Sequence, residues 1–193
     1  SGGSGIQEMN DLTKDQIMYM LQNLAELDKL ADIILIDTGA GITNSVLEFV
    51  AASSEVLLVT TPEPTSITDA YALLKTLNRK PGFDIKDITI RMIANRVSSE
   101  DEGLNLYNKL NTVAARFLHL EMDYLGAVMQ ETNVSKAVMH QKPAIMLYPN
   151  IQFSKKIKTF AQVLCEKNDI KRDDRRGVAH LFSRLLLSKS KKN

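Results

Sequence analysis

The stretch Glu55-Val-Leu-Leu-Val-Thr-Thr-Pro-Glu-Pro64 decides the fold class of this chain. An unbroken apolar run of this length, stopped by two prolines, is typical of a strand that is buried on both faces of a parallel sheet. Thr65 or Ser66 is then expected to cap a helix that runs to about residue 77. A buried strand followed at once by a helix is the repeating unit of an α/β fold.

The same alternation of strands and helices continues on both sides of this stretch. Asp32-Ile-Ile-Leu-Ile-Asp37 predicts another buried parallel strand, and residues 88–94 and 124–128 predict two more. Helices are predicted over residues 13–27, 43–52, 103–118, 134–140 and 152–167. We therefore expect residues 1–170 to form a doubly wound, mostly parallel sheet that is incomplete at its N-terminal side. In such a sheet, ligands bind at the carboxyl ends of the strands.

Charge is distributed unevenly along the 193 residues. Residues 171–193 carry eight basic and two acidic side chains, a net charge of +6, whereas residues 1–170 carry a net charge of −5. Residues 171–176 are interpreted as a charged hinge and residues 177–193 as a helix with a basic tail. With a single cysteine, Cys165, no internal disulfide is possible, which favours a reducing compartment. No apolar run is long enough for a spanning helix.

The strongest local motif is Asp37-Thr-Gly-Ala-Gly41. A carboxylate at the end of an apolar strand can lie beside a bound Mg²⁺, and the two glycines let backbone N–H groups approach a phosphate. An ordinary strand-end Asp before a glycine turn fits this spacing equally well. Spacing alone therefore leaves both interpretations open.

Three motifs taken in order carry a family resemblance. Asp37-Thr-Gly-Ala-Gly41, the segment from Val56 to Tyr71, and Ile-Ala-Asn95-Arg96-Val resemble the MinD/ParA family of deviant P-loop ATPases, and within it the FlhG group (also called YlxH or FleN). The resemblance covers nearly the whole chain, and the ordered set of motifs is more specific than any one of them. It implies a P-loop NTPase-like fold of MinD type.

The resemblance also implies a site for ATP and Mg²⁺. Asp37 would be the Walker B carboxylate that holds Mg²⁺ through water, Gly41 the switch glycine, and Asn95 the residue that binds the adenine edge. Without the family context, Asn95 would be interpreted as a turn or cap residue at a strand end. The implied cofactor-binding residues are Asp37, Gly39, Gly41, Asn95, Arg96, Met129, Gln130 and Glu131.

One departure from the family is large. The chain contains no G-x-x-x-x-G-K-[ST] phosphate loop, and Ser1-Gly-Gly-Ser-Gly5 has neither a preceding strand nor a following lysine in register. Phosphoryl transfer depends on that loop, its lysine and Mg²⁺. We interpret the chain as about the C-terminal two-thirds of such an ATPase, assign it no catalytic residue, and expect that alone it neither binds ATP tightly nor hydrolyses it.

The C-terminal segment predicts an amphipathic helix. An apolar stripe with basic residues at both ends suits a helix that lies on an anionic bilayer, although a helix docked on its own core is the alternative. The MinD and FlhG families carry such a membrane-targeting helix. The predicted membrane contacts are Val178, Leu181, Phe182, Leu185 and Leu186, with Arg176 and Lys189 among the flanking bases.

By resemblance, the intact protein is expected to be a membrane-associated, ATP-dependent dimeric switch that sets flagellar number and placement. It would be cytoplasmic and peripheral on the inner face of the cell membrane, with the signal-recognition-type GTPase FlhF and flagellar switch proteins as partners. Two alternatives remain open: a non-enzymatic module that binds a partner and the membrane, and a MinD/ParA-type ATPase for division-site selection or DNA partitioning. Nucleic acid is not an expected partner, because the basic tail lacks interleaved aromatics.

Overall fold

The computed structural model describes residues 30–39, 41–81, 83–85 and 88–167. The helix predicted over residues 13–27, the hinge and the amphipathic C-terminal helix lie outside the described residues. The described elements alternate as the sequence predicts. In chain order they are α1 (Asn44–Ala52), β1 (Glu55–Thr60), α2 (Pro64–Asn78), β2 (Thr89–Val97), α3 (Glu100–Leu118), β3 (Asp123–Met129), α4 (Thr132–Met139), α5 (Ala144–Leu147) and α6 (Gln152–Lys167).

The three described strands form one parallel sheet in the order β1-β2-β3. Leu58 of β1 lies beside Met92 of β2, and Ala94 lies beside Ala127 of β3. All three carboxyl ends therefore meet at one edge. This confirms the α/β class, with helices packed on both faces of the sheet.

The two faces of the sheet bury separate apolar clusters. On one face, Leu58 and Met92 pack with Leu74 of α2 and Leu110 of α3 in the main core. On the other face, Ile93 and Val128 pack against Phe160 of α6. In β2, the consecutive residues Met92, Ile93 and Ala94 are all buried, which explains an apolar run without alternation. β1 is the outermost of the described strands on its side, and its Val59 is 54% exposed, so the prediction that this strand is buried on both faces is wrong at Val59.

Two glycines let helices approach the sheet closely. A Cβ on Gly103 of α3 would lie 2.6 Å from the Cβ of Ala127, and one on Gly126 of β3 would lie 2.8 Å from the ring of Phe160. Gly126 also has a φ of +142°, at a register shift between β2 and β3. Only glycine meets both requirements at that position.

Residues 32–37 do not form the predicted strand. The segment from Ile33 to Gly39 has no regular secondary structure, and Leu35 is 79% exposed. A strand with two apolar faces is buried only where neighbouring strands and covering helices are available. No described strand pairs with these residues, so the run stays exposed despite its composition. The sheet accordingly has three described strands rather than the predicted four.

Local capping shifts several predicted boundaries. Thr43 caps α1, as its Oγ1 accepts a hydrogen bond from the N–H of Val46. Ser99 caps α3, which starts at Glu100 rather than at Gly103. The prediction that Thr65 or Ser66 caps α2 is wrong: Glu63 is the cap residue and Pro64 begins the helix, where its missing N–H costs nothing. Among the described helices, none is long and apolar enough to cross a bilayer.

Candidate functional site

The carboxyl ends of the three strands carry a group of polar side chains. Glu63 follows β1, Asn95 and Arg96 lie in the last three residues of β2, and Gln130 follows β3. In a parallel α/β sheet, this edge is where ligands bind. The structure thus brings together, at one edge, residues that lie up to 67 positions apart in the sequence.

Arg96 joins the segments that follow all three strands. Its Nε donates a hydrogen bond to Oε1 of Gln130 at 2.9 Å, and its Nη1 lies 3.6 Å from Oε1 of Glu63. The backbone of Arg96 has a φ of +57°, a left-handed conformation that non-glycine residues rarely adopt. Such strain is typical of positions that the surrounding structure holds for a function. Glu63 was not predicted as a site residue, because nothing in the local sequence indicates a partner 33 positions away.

Asn95 is half-buried and its carboxamide is turned toward its own backbone. Its Oδ1 accepts a hydrogen bond from the N–H of Arg96 at 3.0 Å. The Nδ2 group has no partner among the described residues and remains available as a donor. A carboxamide held at one end and open at the other is suited to the polar edge of a planar ligand.

The loop after β3 is also fixed by hydrogen bonds. The N–H of Gln130 donates to the carbonyl oxygen of Val97 at 3.0 Å, which keeps this loop beside the end of β2. Oε1 of Glu131 accepts from both the backbone N–H and the side-chain Nδ2 of Asn133, each at 3.0 Å, and so caps α4. Met129 is half-buried against the main core. Of these three predicted residues, Gln130 alone contacts Arg96.

The segment after β1 is organised by Ser66. Its Oγ accepts a hydrogen bond from the N–H of Thr61 at 3.0 Å and shares a hydrogen bond with Oγ1 of Thr60 at 2.9 Å. Thr61 Oγ1 in turn donates to Oε2 of Glu63. Ser66 was one of two predicted helix caps, with Thr65. In the structure its side chain instead joins the end of β1 to the first turn of α2.

The glycine motif stands apart from this group. Asp37 and Gly39 lie on exposed, irregular backbone, and Gly41 has a φ of +103° with open space around it. Within the described ranges, no hydrogen bond or ion pair joins Asp37 to the carboxyl-edge residues. The prediction that Asp37 ends a sheet strand is wrong, because residues 32–37 are not part of the sheet.

Comparison with known proteins places the chain in a family. It is 41% identical over 159 residues to the antiactivator FleN of Pseudomonas aeruginosa, a match that covers 82% of this chain and 55% of FleN. This chain belongs to the MinD/ParA family. Within that family it is also similar to the flagellum site-determining protein YlxH of Helicobacter pylori, with 37% identity over 158 residues, 80% of this chain and 52% of YlxH.

A solved structure supports the same fold for this MinD/ParA protein. The MinD cell division protein of Aquifex aeolicus superposes with a TM-score of 0.54 at 22% identity, covering 78% of this chain and 61% of that one. No protein-family model matches the chain. The chain spans about half the length of the curated relatives it matches.

Proposed function

We propose that this chain is the base-recognition part of an FlhG-type ATPase that regulates flagellar number and placement. The observation that carries the proposal is the group formed by Asn95, Arg96 and Gln130 at the carboxyl edge of the sheet. The identity to FleN and YlxH supports the flagellar role over division-site selection or DNA partitioning. By resemblance, the whole protein dimerises around ATP and acts with an FlhF-type GTPase and flagellar switch proteins.

The residues at this edge fit an adenine base. A purine edge presents both donors and acceptors, and Asn95 offers a free amide donor beside the planar guanidinium of Arg96. Base-edge recognition by a carboxamide requires that amide to be held in place. The hydrogen bond from the Arg96 N–H supplies this constraint.

The described residues do not fit a magnesium-bound triphosphate. Among them, no three His, Cys, Asp or Glu side chains converge on a point, and Asp37 lies on exposed backbone outside the sheet. The sequence also contains no phosphate loop. Charge neutralisation by that loop and by Mg²⁺ is the basis of phosphoryl transfer. We therefore derive no hydrolytic step for residues 1–193 and propose that this chain alone is not catalytic.

Nucleotide titration tests the base-recognition proposal. Amide resonances of isotope-labelled chain are followed as adenosine, and separately guanosine, is added. We expect adenosine to shift resonances of residues 95–97 and 129–131 with millimolar affinity, and Asn95→Ala to abolish these shifts. Asn108→Ala, an exposed position on α3, is the matched control. Equal shifts with guanosine, or none with either nucleoside, contradict the proposal.

A phosphate-release assay tests the claim that the chain is not catalytic. Purified chain with ATP and Mg²⁺ should release phosphate at the rate of buffer alone. Turnover well above buffer contradicts this claim and leaves the base-recognition result unaffected.

We also propose that residues 177–193 hold the protein on the inner face of the cell membrane. The support is the apolar stripe with basic ends in the sequence. Co-sedimentation with anionic vesicles should be lost in Phe182→Glu/Leu185→Glu and kept in His180→Glu/Ser183→Glu, which adds the same charge to the polar side. If the two double variants behave alike, the stripe does not bind the membrane.

A cellular test addresses the flagellar role. Flagella per cell are counted by electron microscopy after the gene that encodes this chain is deleted. We expect an altered number or placement with normal division, restored by the wild-type gene and not by Asn95→Ala. A division or plasmid-loss phenotype with normal flagella favours the alternative roles in the same family.

A further inference from the structure

A second surface lies on α4 and α5. Three large apolar side chains there are strongly exposed: Val138 at 70%, Met139 at 85% and Met146 at 74%. The two helices are anchored beneath them by Ala137 and Ala144, which are buried. Clustered exposed apolar side chains mark interaction sites more often than chance, and methionine is favoured where a surface adapts to a partner. We call Val138, Met139 and Met146 the α4–α5 patch.

The sequence around the α4–α5 patch carries basic residues and no acidic ones. Residues 132–165 contain five lysines and no Asp or Glu. Lys136 and Lys142 flank the patch in sequence, and both are exposed. Lys156 is engaged by Glu100 at 2.8 Å, and that carboxylate comes from α3. The exposed apolar side chains of the patch are therefore flanked in the sequence by two exposed lysines, Lys136 and Lys142.

An open cavity lies where α4 ends and α5 begins, and its lining residues include the sequence neighbours of Met139 and Met146. It has a volume of about 370 Å³ and is lined by His140, Lys142, Leu147 and Tyr148. Two hydrogen bonds hold the backbone of Tyr148 in this wall. Its carbonyl oxygen accepts from Oγ of Ser154 at 2.6 Å, and its N–H donates to the carbonyl oxygen of Ala144 at 2.8 Å. Leu147 and Tyr148 on its wall offer apolar surface to a side chain of a binding partner.

We propose that the α4–α5 patch and its cavity bind an acidic amphipathic helix of a partner protein. The apolar face of such a helix would cover Met139 and Met146, and its acidic face would meet Lys136 and Lys142. A second copy of this chain is the weaker occupant, since it would bring two basic surfaces together. A lipid surface is also weaker, because it has no side chain to place in the recess.

In the chain, the α4–α5 patch follows the proposed base-recognition residues closely. Helix α4 begins directly after the loop that holds Gln130, and Glu131 is its cap residue. A partner bound to α4 would therefore contact the helix that begins next to Gln130, at the carboxyl edge of the sheet.

The test is a titration of the full chain with a synthetic peptide. The probe is an amphipathic peptide of about 18 residues, long enough for five helical turns, with Leu at i, i+3, i+4 and i+7 and Glu on the other face. A scrambled peptide of the same composition and a version with Lys in place of Glu are the comparisons. We expect the amphipathic acidic peptide alone to shift amide resonances of residues 134–148.

Paired variants locate the contact. Met139→Glu/Met146→Glu should weaken binding of the acidic peptide at least about tenfold, whereas Val113→Glu/Phe117→Glu, at exposed apolar positions of α3, should leave it unchanged. Circular dichroism confirms that both variants fold. Raising the salt concentration should weaken binding several-fold, because the rim contacts are charge pairs.

Four results overturn the proposal. The first is the absence of any resonance shift at millimolar peptide, and the second is equal binding of the scrambled peptide. The third is that the wild-type chain binds no peptide but self-associates, and that Met139→Glu/Met146→Glu loses this self-association. The fourth is binding of anionic phosphatidylglycerol vesicles, but not of peptide, through Met139 and Met146, which identifies the surface as a membrane contact.

Discussion

The Nε atom of Arg96 lies 2.9 Å from Oε1 of Gln130, and this bond joins the ends of β2 and β3. Both side chains are exposed, so the pair contributes at most about 1 kcal/mol to stability. Arg96 also adopts a left-handed backbone conformation that costs a non-glycine residue about 1 kcal/mol. The two effects nearly cancel, so stability alone does not explain arginine at this position.

The first prediction separates strain from contact at Arg96. Arg96→Gly should leave the free energy of unfolding unchanged or raise it by up to about 1 kcal/mol, since glycine relieves the strain. Arg96→Ala should lower it, because alanine keeps the strain and loses the contacts. Urea denaturation measures both. A loss in Arg96→Gly as large as in Arg96→Ala would show that the side-chain contacts outweigh the strain.

The second prediction concerns Tyr107 and Tyr124, whose rings are tilted by 30° to each other with centroids 4.9 Å apart. The hydroxyl of Tyr107 donates to the carbonyl oxygen of Met122 at 2.6 Å, whereas the buried hydroxyl of Tyr124 has no partner among the described residues. Tyr107→Phe should therefore cost about 1 kcal/mol in urea denaturation, and Tyr124→Phe should be neutral or stabilising. The reverse order would contradict this assignment.

The same two tyrosines predict an alkaline loss of stability. Burial is the main cause that raises the pKa of Tyr107, and the negative charges of Asp123 and Glu121 raise it further. Burial also raises the pKa of Tyr124, with a smaller contribution from the negative charge of Glu100. The unfolded chain loses these protons first, so stability is full below the unfolded pKa of about 10 and falls as pH rises above it. Urea midpoints at pH 8 and at pH 11 should differ less in Tyr107→Phe/Tyr124→Phe than in the wild type. An unchanged difference would exclude the two tyrosines as the cause.

The fourth prediction concerns the amino ends of β1 and β2. Nε of the buried Arg91 lies 2.6 Å from Oε1 of Glu55, although the two atoms are not aligned as a hydrogen bond. Glu55→Gln should cost about 2 to 3 kcal/mol in urea denaturation, because it leaves a buried charge without its counter-charge. Glu55→Gln/Arg91→Met should recover most of that loss. If the double variant does not regain the lost free energy of unfolding, the cost of Glu55→Gln comes from packing and not from the unpaired charge.

The fifth prediction uses the helix ends. His119 is the C-cap residue after α3, with a φ of +53°, and Arg79 is the C-cap residue after α2, with a φ of −94°. Glycine removes strain only in the left-handed case, so His119→Gly should raise the free energy of unfolding by about 0.5 to 1 kcal/mol. Arg79→Gly, the matched control, should not raise it. Thermal melts of both variants test whether His119→Gly alone is stabilised.

Local patterns determined much of this fold. The apolar runs that predict β1 and β2 can be recognised without knowing the fold, because each run and its terminating residues lie within about ten positions. The same is true of Thr43, whose capping contact spans three residues. Asn95 and Arg96 could be placed at the sheet edge because the predicted strand over residues 88–94 ends just before them, although the observed strand runs on to Val97.

Only the tertiary structure decided what depends on partners distant in the sequence. The run at residues 33–36 has the composition of a buried strand, yet it stays exposed because burial requires neighbouring strands that the described residues do not supply. The contacts of Arg96 with Glu63 and Gln130 follow from parallel pairing, which brings three strand ends to one edge. The exposure of Met139 and Met146 likewise depends on which helix faces the core covers, and residue type alone does not specify it.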